Sequence, residues 1–137
     1  MGYDLYPRHK SAGNFHMGGF LWHWMLEAGV GLPFGYGKGI EPAQFVYSGR
    51  KDGKCIGYND GARISAKEAR EMAKIARWVA DYQDHKRRLF CEASDELKKK
   101  WEEDKYRLYS LPVREDFVEK TRSFAEWAEK SGGFRVY

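Results

Sequence analysis

The glycines of this chain are confined to one part of it. Thirteen of the 15 lie in residues 1–61, none lies in 62–131, and the last two are Gly132 and Gly133. Glycine costs a helix interior roughly 1 kcal/mol relative to alanine, and it supplies the backbone conformations that tight turns need. The first part is therefore expected to be strands, turns and short elements, and the second to be long helices. Charge divides the same way. Residues 1–61 hold six basic and five acidic side chains, whereas 62–137 hold 18 and 15, as solvated helix surfaces require. No repeat or linker separates the parts, and 137 residues suit a single domain, 1–137.

The helical part reads clearly. Ser65-Ala66-Lys67-Glu68 is a capping box, Ser-x-x-Glu. Ala69, Met72, Ala73, Ala76, Val79 and Ala80 follow at 3-4-3 spacing, one apolar face of a helix running to about Phe90. Its small alanines imply the close approach of another element. Ser94 with Asp95 and Glu96 starts a second helix, which carries a thin stripe of Leu97, Trp101 and Leu108 and ends before Pro112. A third helix spans about Arg114 to Lys130, with Phe117, Thr121, Phe124, Ala125 and Ala128 on one face. Ser131-Gly132-Gly133-Phe134 stops it, with a glycine in the left-handed position and Phe134 folded back. Phe134 to Tyr137 alternates like a strand.

The first part offers Gly2–Tyr6 as an edge strand stopped by Pro7. Phe20–Ala28 forms a short helix burying Phe20, Leu21, Trp24, Met25 and Ala28, and ended by Gly29. Gln44–Tyr47 and Lys54–Tyr58 read as strands joined by a turn at Arg50–Gly53. The expected fold is α+β: a small antiparallel sheet packed with three to four helices, including a long charged helical hairpin.

Composition excludes several classes. At 42% apolar and 32% charged, the chain is not a disordered one. It contains no apolar run of the ~18–20 residues that span a membrane. Charges at Asp4, Arg8 and Lys10 argue against a secretory leader, and two unrelated cysteines, Cys55 and Cys91, suggest a reduced, cytoplasmic setting. His9, His16 and His23 are spaced by seven, but Gly13, Gly18 and Gly19 break any helix that would align them, so no metal and no cofactor is expected. A net charge of +4 is mild. The basic runs His85–Arg88 and Lys98–Lys100 lie among acids, as on a solvated helical hairpin, so nucleic-acid binding is disfavoured and nucleic acid is not an expected partner.

Three segments can carry chemistry. Gly29 to Gly39 has five glycines and Lys38, but lacks the spacing and the Ser or Thr of a P-loop. It is a surface loop, a lid or a partner-binding loop. Tyr58-Asn59-Asp60-Gly61-Ala62-Arg63-Ile64-Ser65 enters the capped helix. A helix N-terminus with Arg63 beside it suits a phosphate or carboxylate, and Asn59 and Asp60 can read sugar hydroxyls or a base edge. The plain alternative is a turn and a cap. Asn14 to Met25 is rich in rings, with Trp22 and His23 off the Phe20/Trp24 face. An exposed Trp22 beside His16 and Asn14 would stack a flat ligand. Core packing and an oligomer interface explain the same rings.

Asn59-Asp60-Gly61 leading to Ile64, with Phe124-Ala125-Glu126-Trp127 leading to Ser131-Gly132-Gly133-Phe134 and the ring-rich segment Phe15–Trp24, resembles a family of small phage and bacterial proteins. That family shares an Asn-x-Gly-x-x-Ile segment before a helix and a Ser-Gly-Gly-Phe ending. The likeness does not extend over residues 85–112, where some members carry cysteine pairs and this chain has only Cys91. It implies no activity and no catalytic residue. What it implies is a phage or prophage setting, in which small proteins often counter host defence.

The expected function is thus an intracellular binding protein that sequesters a nucleotide-like small molecule, such as a defence signal, without catalysis. Asn14, His16, Trp22, Lys38, Asn59, Asp60, Arg63 and Ser65 are its expected ligand-binding residues, and homo-oligomerisation would use surplus rings. One alternative is a protein-binding inhibitor of a host defence complex, acting through Leu32–Gly39 and the charged hairpin. Another is a small phosphoesterase or glycosidase acting on a nucleotide, with His16, His23 or Asp60 as the general base.

Overall fold

The computed structural model describes residues 2–34, 54–103 and 115–137. It has four strands, β1 (Gly2–Pro7), β2 (Phe15–Gly18), β3 (Ala62–Ile64) and β4 (Phe134–Val136), and four α-helices, α1 (Gly19–Met25), α2 (Ala66–Glu92), α3 (Asp95–Glu103) and α4 (Glu115–Ser131). The architecture is α+β, and no helix among the described residues is long and apolar enough to cross a membrane. The strands form one antiparallel sheet in the order β2-β1-β4-β3.

The capping box forms as its spacing predicts. The Ser65 hydroxyl accepts from the Glu68 N–H at 3.1 Å, and the Glu68 carboxylate accepts from the Ser65 N–H at 2.9 Å. Ala69, Met72, Ala73, Ala76, Val79 and Ala80 of α2 are all buried, as are Phe117, Thr121, Phe124, Ala125 and Ala128 of α4. The alanines let α4 lie close along α2, because a short side chain takes little of the interaxial distance. The two helices are antiparallel: Arg77 pairs with Glu129, and Asp81, further along α2, pairs with Arg122, further back on α4. Asp84 holds Arg87 at 3.1 Å and Arg88 at 3.0 Å. The basic run of α2 is therefore partly neutralised within its own helix.

Alternation decides the faces of the sheet. Tyr3 and Leu5 of β1, Met17 of β2, Ala62 and Ile64 of β3, and Phe134 and Val136 of β4 are buried in the same core as the inner faces of α1, α2 and α4. Asp4, Tyr6, His16, Arg63 and Tyr137 lie on the opposite side and are exposed.

Three local expectations are corrected. β1 is an interior strand, not an edge: β4 pairs with it in the register Leu5↔Val136, Tyr6↔Arg135, Pro7↔Phe134. Proline is tolerated there because β2 pairs with β1 only as far as Leu5, so the Pro7 nitrogen has no ladder partner to lose. Lys54–Tyr58 is no strand but runs into a turn at Ile56 and Gly57; β1 pairs instead with β2. Gln44–Tyr47, Leu108 and Pro112 lie outside the described residues. The first helix buries Trp22, Met25, Leu26, Gly29 and Val30, while Phe20 is 82% exposed. Its spacing of 3, 4 and 7 is just as helical as the expected set, but the face is rotated. Gly29, at φ 140°, brings the turn Leu26–Val30 against Ile75 and Val79 of α2.

The chain reverses after α4 through Gly132 (φ 69°) and Gly133 (φ 97°). Both glycines, not one, take positive φ. A Cβ on Gly133 would sit 2.6 Å from the Ile64 carbonyl oxygen and 3.0 Å from the Ala66 nitrogen. Neither atom can move without disturbing β3 or the start of α2. Gly133→Ala is therefore expected to destabilise the fold by at least ~2 kcal/mol, combining the left-handed penalty with a backbone overlap. Urea denaturation should show a lower midpoint at unchanged slope.

Candidate functional site: an arginine-lined groove at the end of the sheet

Where β1 ends, β4 begins and β3 hands over to α2, the backbones splay around a groove of about 660 Å³. Tyr6, Pro7 and Arg8 line it from β1 and the residue after it, Arg63 to Ala66 from β3 and the α2 cap, and Gly132 to Arg135 from the turn and β4. Among the described residues the lining holds three arginines and no carboxylate. The size is that of a small-ligand site.

The arginines are placed by strand register. Arg63 on β3 stands directly opposite Arg135 on β4, and Arg135 stands opposite Tyr6 on β1. Residues opposite one another in an antiparallel ladder share a face, so the three form one row across the sheet. Two cations directly opposite are unfavourable for the sheet itself. Arg8 adds a third cation to the same groove.

The helix end adds donors. The capping box satisfies the N–H groups of Ser65 and Glu68, while helix geometry leaves those of Ala66 and Lys67 without an intrahelical acceptor. The Ser65 oxygen accepts from Glu68, so its own O–H remains a donor. The Glu68 carboxylate offsets part of the dipole at this end, and the arginines are therefore the main source of anion attraction.

Positive charge continues beyond the groove. The Arg135 guanidinium donates to the Tyr137 phenol oxygen at 3.4 Å. That hydrogen bond, joined by the field of Arg135, Lys54 and Arg63, holds the Tyr137 hydroxyl below the usual tyrosine range. Tyr6 and Tyr137 meet edge to face at 5.3 Å between ring centres, and both are exposed.

The structure brings two of the eight expected ligand residues, Arg63 and Ser65, into this groove. Asn14 is exposed in the turn before β2, away from the groove lining. His16 is on the outer face of β2, with Nδ1 2.9 Å from the Asp4 carboxylate. Asn59 donates to the Gly2 carbonyl at 2.9 Å and so fastens the turn before β3 over the start of β1. Asp60 is exposed in that same turn. Lys38 lies outside the described residues. Trp22 is a correction: it is fully buried, donates from its indole to the Ile56 carbonyl at 2.9 Å and packs on Phe124 with ring centres 5.7 Å apart. The helix turns Trp22 inward and Phe20 outward, which is the reverse of an exposed platform. The sequence reading missed Tyr6, Arg8 and Arg135. Their signal was the alternation of Phe134 to Tyr137, which puts Arg135 and Tyr137 on one face.

The candidate general bases do not converge. His16 has a carboxylate partner, but both side chains stand on an open strand surface, 66% and 57% exposed. His23 belongs to the core instead. The Tyr3 hydroxyl donates to the Gly57 carbonyl at 2.7 Å, so it must accept from His23 Nε2 at 2.8 Å. This network assigns the hydrogen to Nε2 of a neutral ring. Cys55 is buried, and its sulfur accepts from the Gly57 N–H at 3.4 Å. Among the described residues no group of three or more His, Cys, Asp or Glu side chains is placed to hold a metal ion.

Burial pushes the His23 pKa below the ordinary histidine value. As pH falls, the unfolded chain takes up this proton first, so stability is fully present above about pH 6.5 and declines as pH drops toward the folded-state value. The melting temperature should therefore fall between about pH 7.5 and pH 5, and His23→Gln should flatten that part of the curve. An equal slope in the variant would remove His23 as the cause.

Comparison of the chain with protein-family models, with curated proteins and with solved structures finds no match.

Proposed function

We propose that this chain binds a phosphate-bearing, nucleotide-class ligand in the arginine groove and sequesters it without turning it over. One observation carries the reading: Arg63 and Arg135 stand opposite each other, with Arg8 in the same groove and no acid lining it among the described residues. Such a row attracts a polyanion. The exposed Tyr6 ring stands beside it and offers a flat face to a base. Among the described residues nothing in the groove pairs a base with a nucleophile, which favours holding over hydrolysis. The phage setting implied by the Asn59-Asp60-Gly61 and Ser131-Gly132-Gly133-Phe134 segments belongs to the same proposal, with a host-defence signal as the sequestered molecule.

Calorimetry and thermal shift against linear, cyclic and ADP-ribose-type nucleotides test it. Binding at micromolar dissociation constants is expected, with a rise in melting temperature that grows with ligand concentration. Arg63→Ala and Arg135→Ala should each weaken binding about 10–100-fold, the worth of a charge-assisted hydrogen-bond pair. Chromatography should return the nucleotide unchanged. Absence of binding below millimolar concentrations would sink the reading, and accumulation of a cleaved product would replace it with the enzyme.

A further inference from the structure

Tyr6, Arg63 and Arg135 line the groove and also stand on the outer face of the sheet, so the groove adjoins that face. Resting on the nucleotide reading above, we propose that the ligand enters the groove as one unit of a single-stranded nucleic acid, whose neighbouring nucleotides lie along this face. Three features argue for a strand over a lone nucleotide.

The first is extent. β1 runs six residues from Gly2 to Pro7 beneath the face, about 17 Å from end to end, which is longer than one nucleotide. The second is the aromatic series. Tyr6 borders the groove, and Tyr137 stands one row further down against Tyr6. Stacking on rings tolerates any base, so a series of them suits a strand of mixed sequence. The third is charge. Arg8, Arg63 and Arg135 line the groove, and Lys54, with the two strand arginines, bears on Tyr137 outside it. Cations interleaved with exposed rings on an open sheet are the arrangement that holds a phosphate backbone with its bases turned inward. Two acids of the described residues lie at this face. Asp4 is engaged by His16, and Asp60 lies in the turn before β3. The helical basic run of α2, by contrast, is occupied by Asp84 and supplies no comparable track.

Fluorescence anisotropy with labelled oligothymidylate and oligouridylate of about twelve nucleotides, set beside the mononucleotides and a duplex of equal length, tests this. Either oligomer should bind at least ~10-fold tighter than its mononucleotide and tighter than the duplex, and the preference between them tells DNA from RNA. Affinity should fall with salt at a log–log slope of about −2, from roughly three neutralised phosphates. Tyr137→Ala should weaken the oligomer about 10-fold, and by more than it weakens the mononucleotide, while Tyr137→Phe, which keeps the ring, should restore the oligomer. Thermal melts confirm that both variants fold. Oligomers no tighter than mononucleotides, or a neutral Tyr137→Ala, would overturn the strand and leave the nucleotide reading standing. Duplex binding equal to that of the single strand would overturn it too. Failure of mononucleotides and oligomers alike would overturn both.

Discussion

The insertion of β4 between β1 and β3 is the contact on which the rest of the molecule depends. β1 and β3 come from distant parts of the chain and do not pair with each other. Only the strand after α4 joins them, and it reaches its place because Gly132 and Gly133 reverse the chain within two residues. Gly133 passes so close to Ile64 and Ala66 that a methyl group would not fit. This turn sets the register that aligns Tyr6, Arg135 and Arg63 across the sheet. It also leaves the groove between the ends of three strands. The site and the closure of the fold thus share one joint.

The inner side of the sheet is covered by a pair of helices that are held by size complementarity more than by charge. The alanines of α2 admit α4, and the large rings of α4 fill what remains: Phe124 packs on Trp22 and Phe134, and Trp127 on Phe134 at 5.0 Å. The ion pairs Arg77–Glu129 and Asp81–Arg122 lie at the exposed margin of this seam. Such pairs are worth little individually and act mainly to fix register. The consequence for function is a sheet with one face committed to the core and the other carrying polar and aromatic groups.

Reading the chain by periodicity succeeds where a segment is long and uniform. The start of α2 at the Ser65 cap, its apolar face and the face of α4 were all legible, because each rests on several residues that repeat at one spacing. The short segments were not. Phe20 to Ala28 admits two helical faces of similar apolar content, and the choice of Trp22 over Phe20 was made by Ile56, Phe124 and Tyr3 waiting on one side. Lys54–Tyr58 has the composition of a strand, but it has no neighbour to pair with among the described strands and turns instead around the Cys55 sulfur. At the site, Arg63 and Ser65 stood out because they adjoin a capping box. Tyr6, Arg8 and Arg135 did not, since nothing local marks residues that meet only through strand pairing.

By itself the sequence determined the division of labour along the chain. Glycine-rich turns come first and capped alanine-faced helices follow, because turn and helix propensity act over a few residues and are written locally. It also determined the stop at Gly132-Gly133 and the alternation that makes Phe134 to Val136 a strand. Tertiary structure alone decided where that strand goes. Its insertion between β1 and β3 turns a predicted edge into the middle of the sheet. It sends Trp22 into the core and gathers three arginines that are far apart in sequence into one groove. The physical reason is that strand pairing and side-chain burial are satisfied by partners remote along the chain, and no spacing within a segment records which partner will be there.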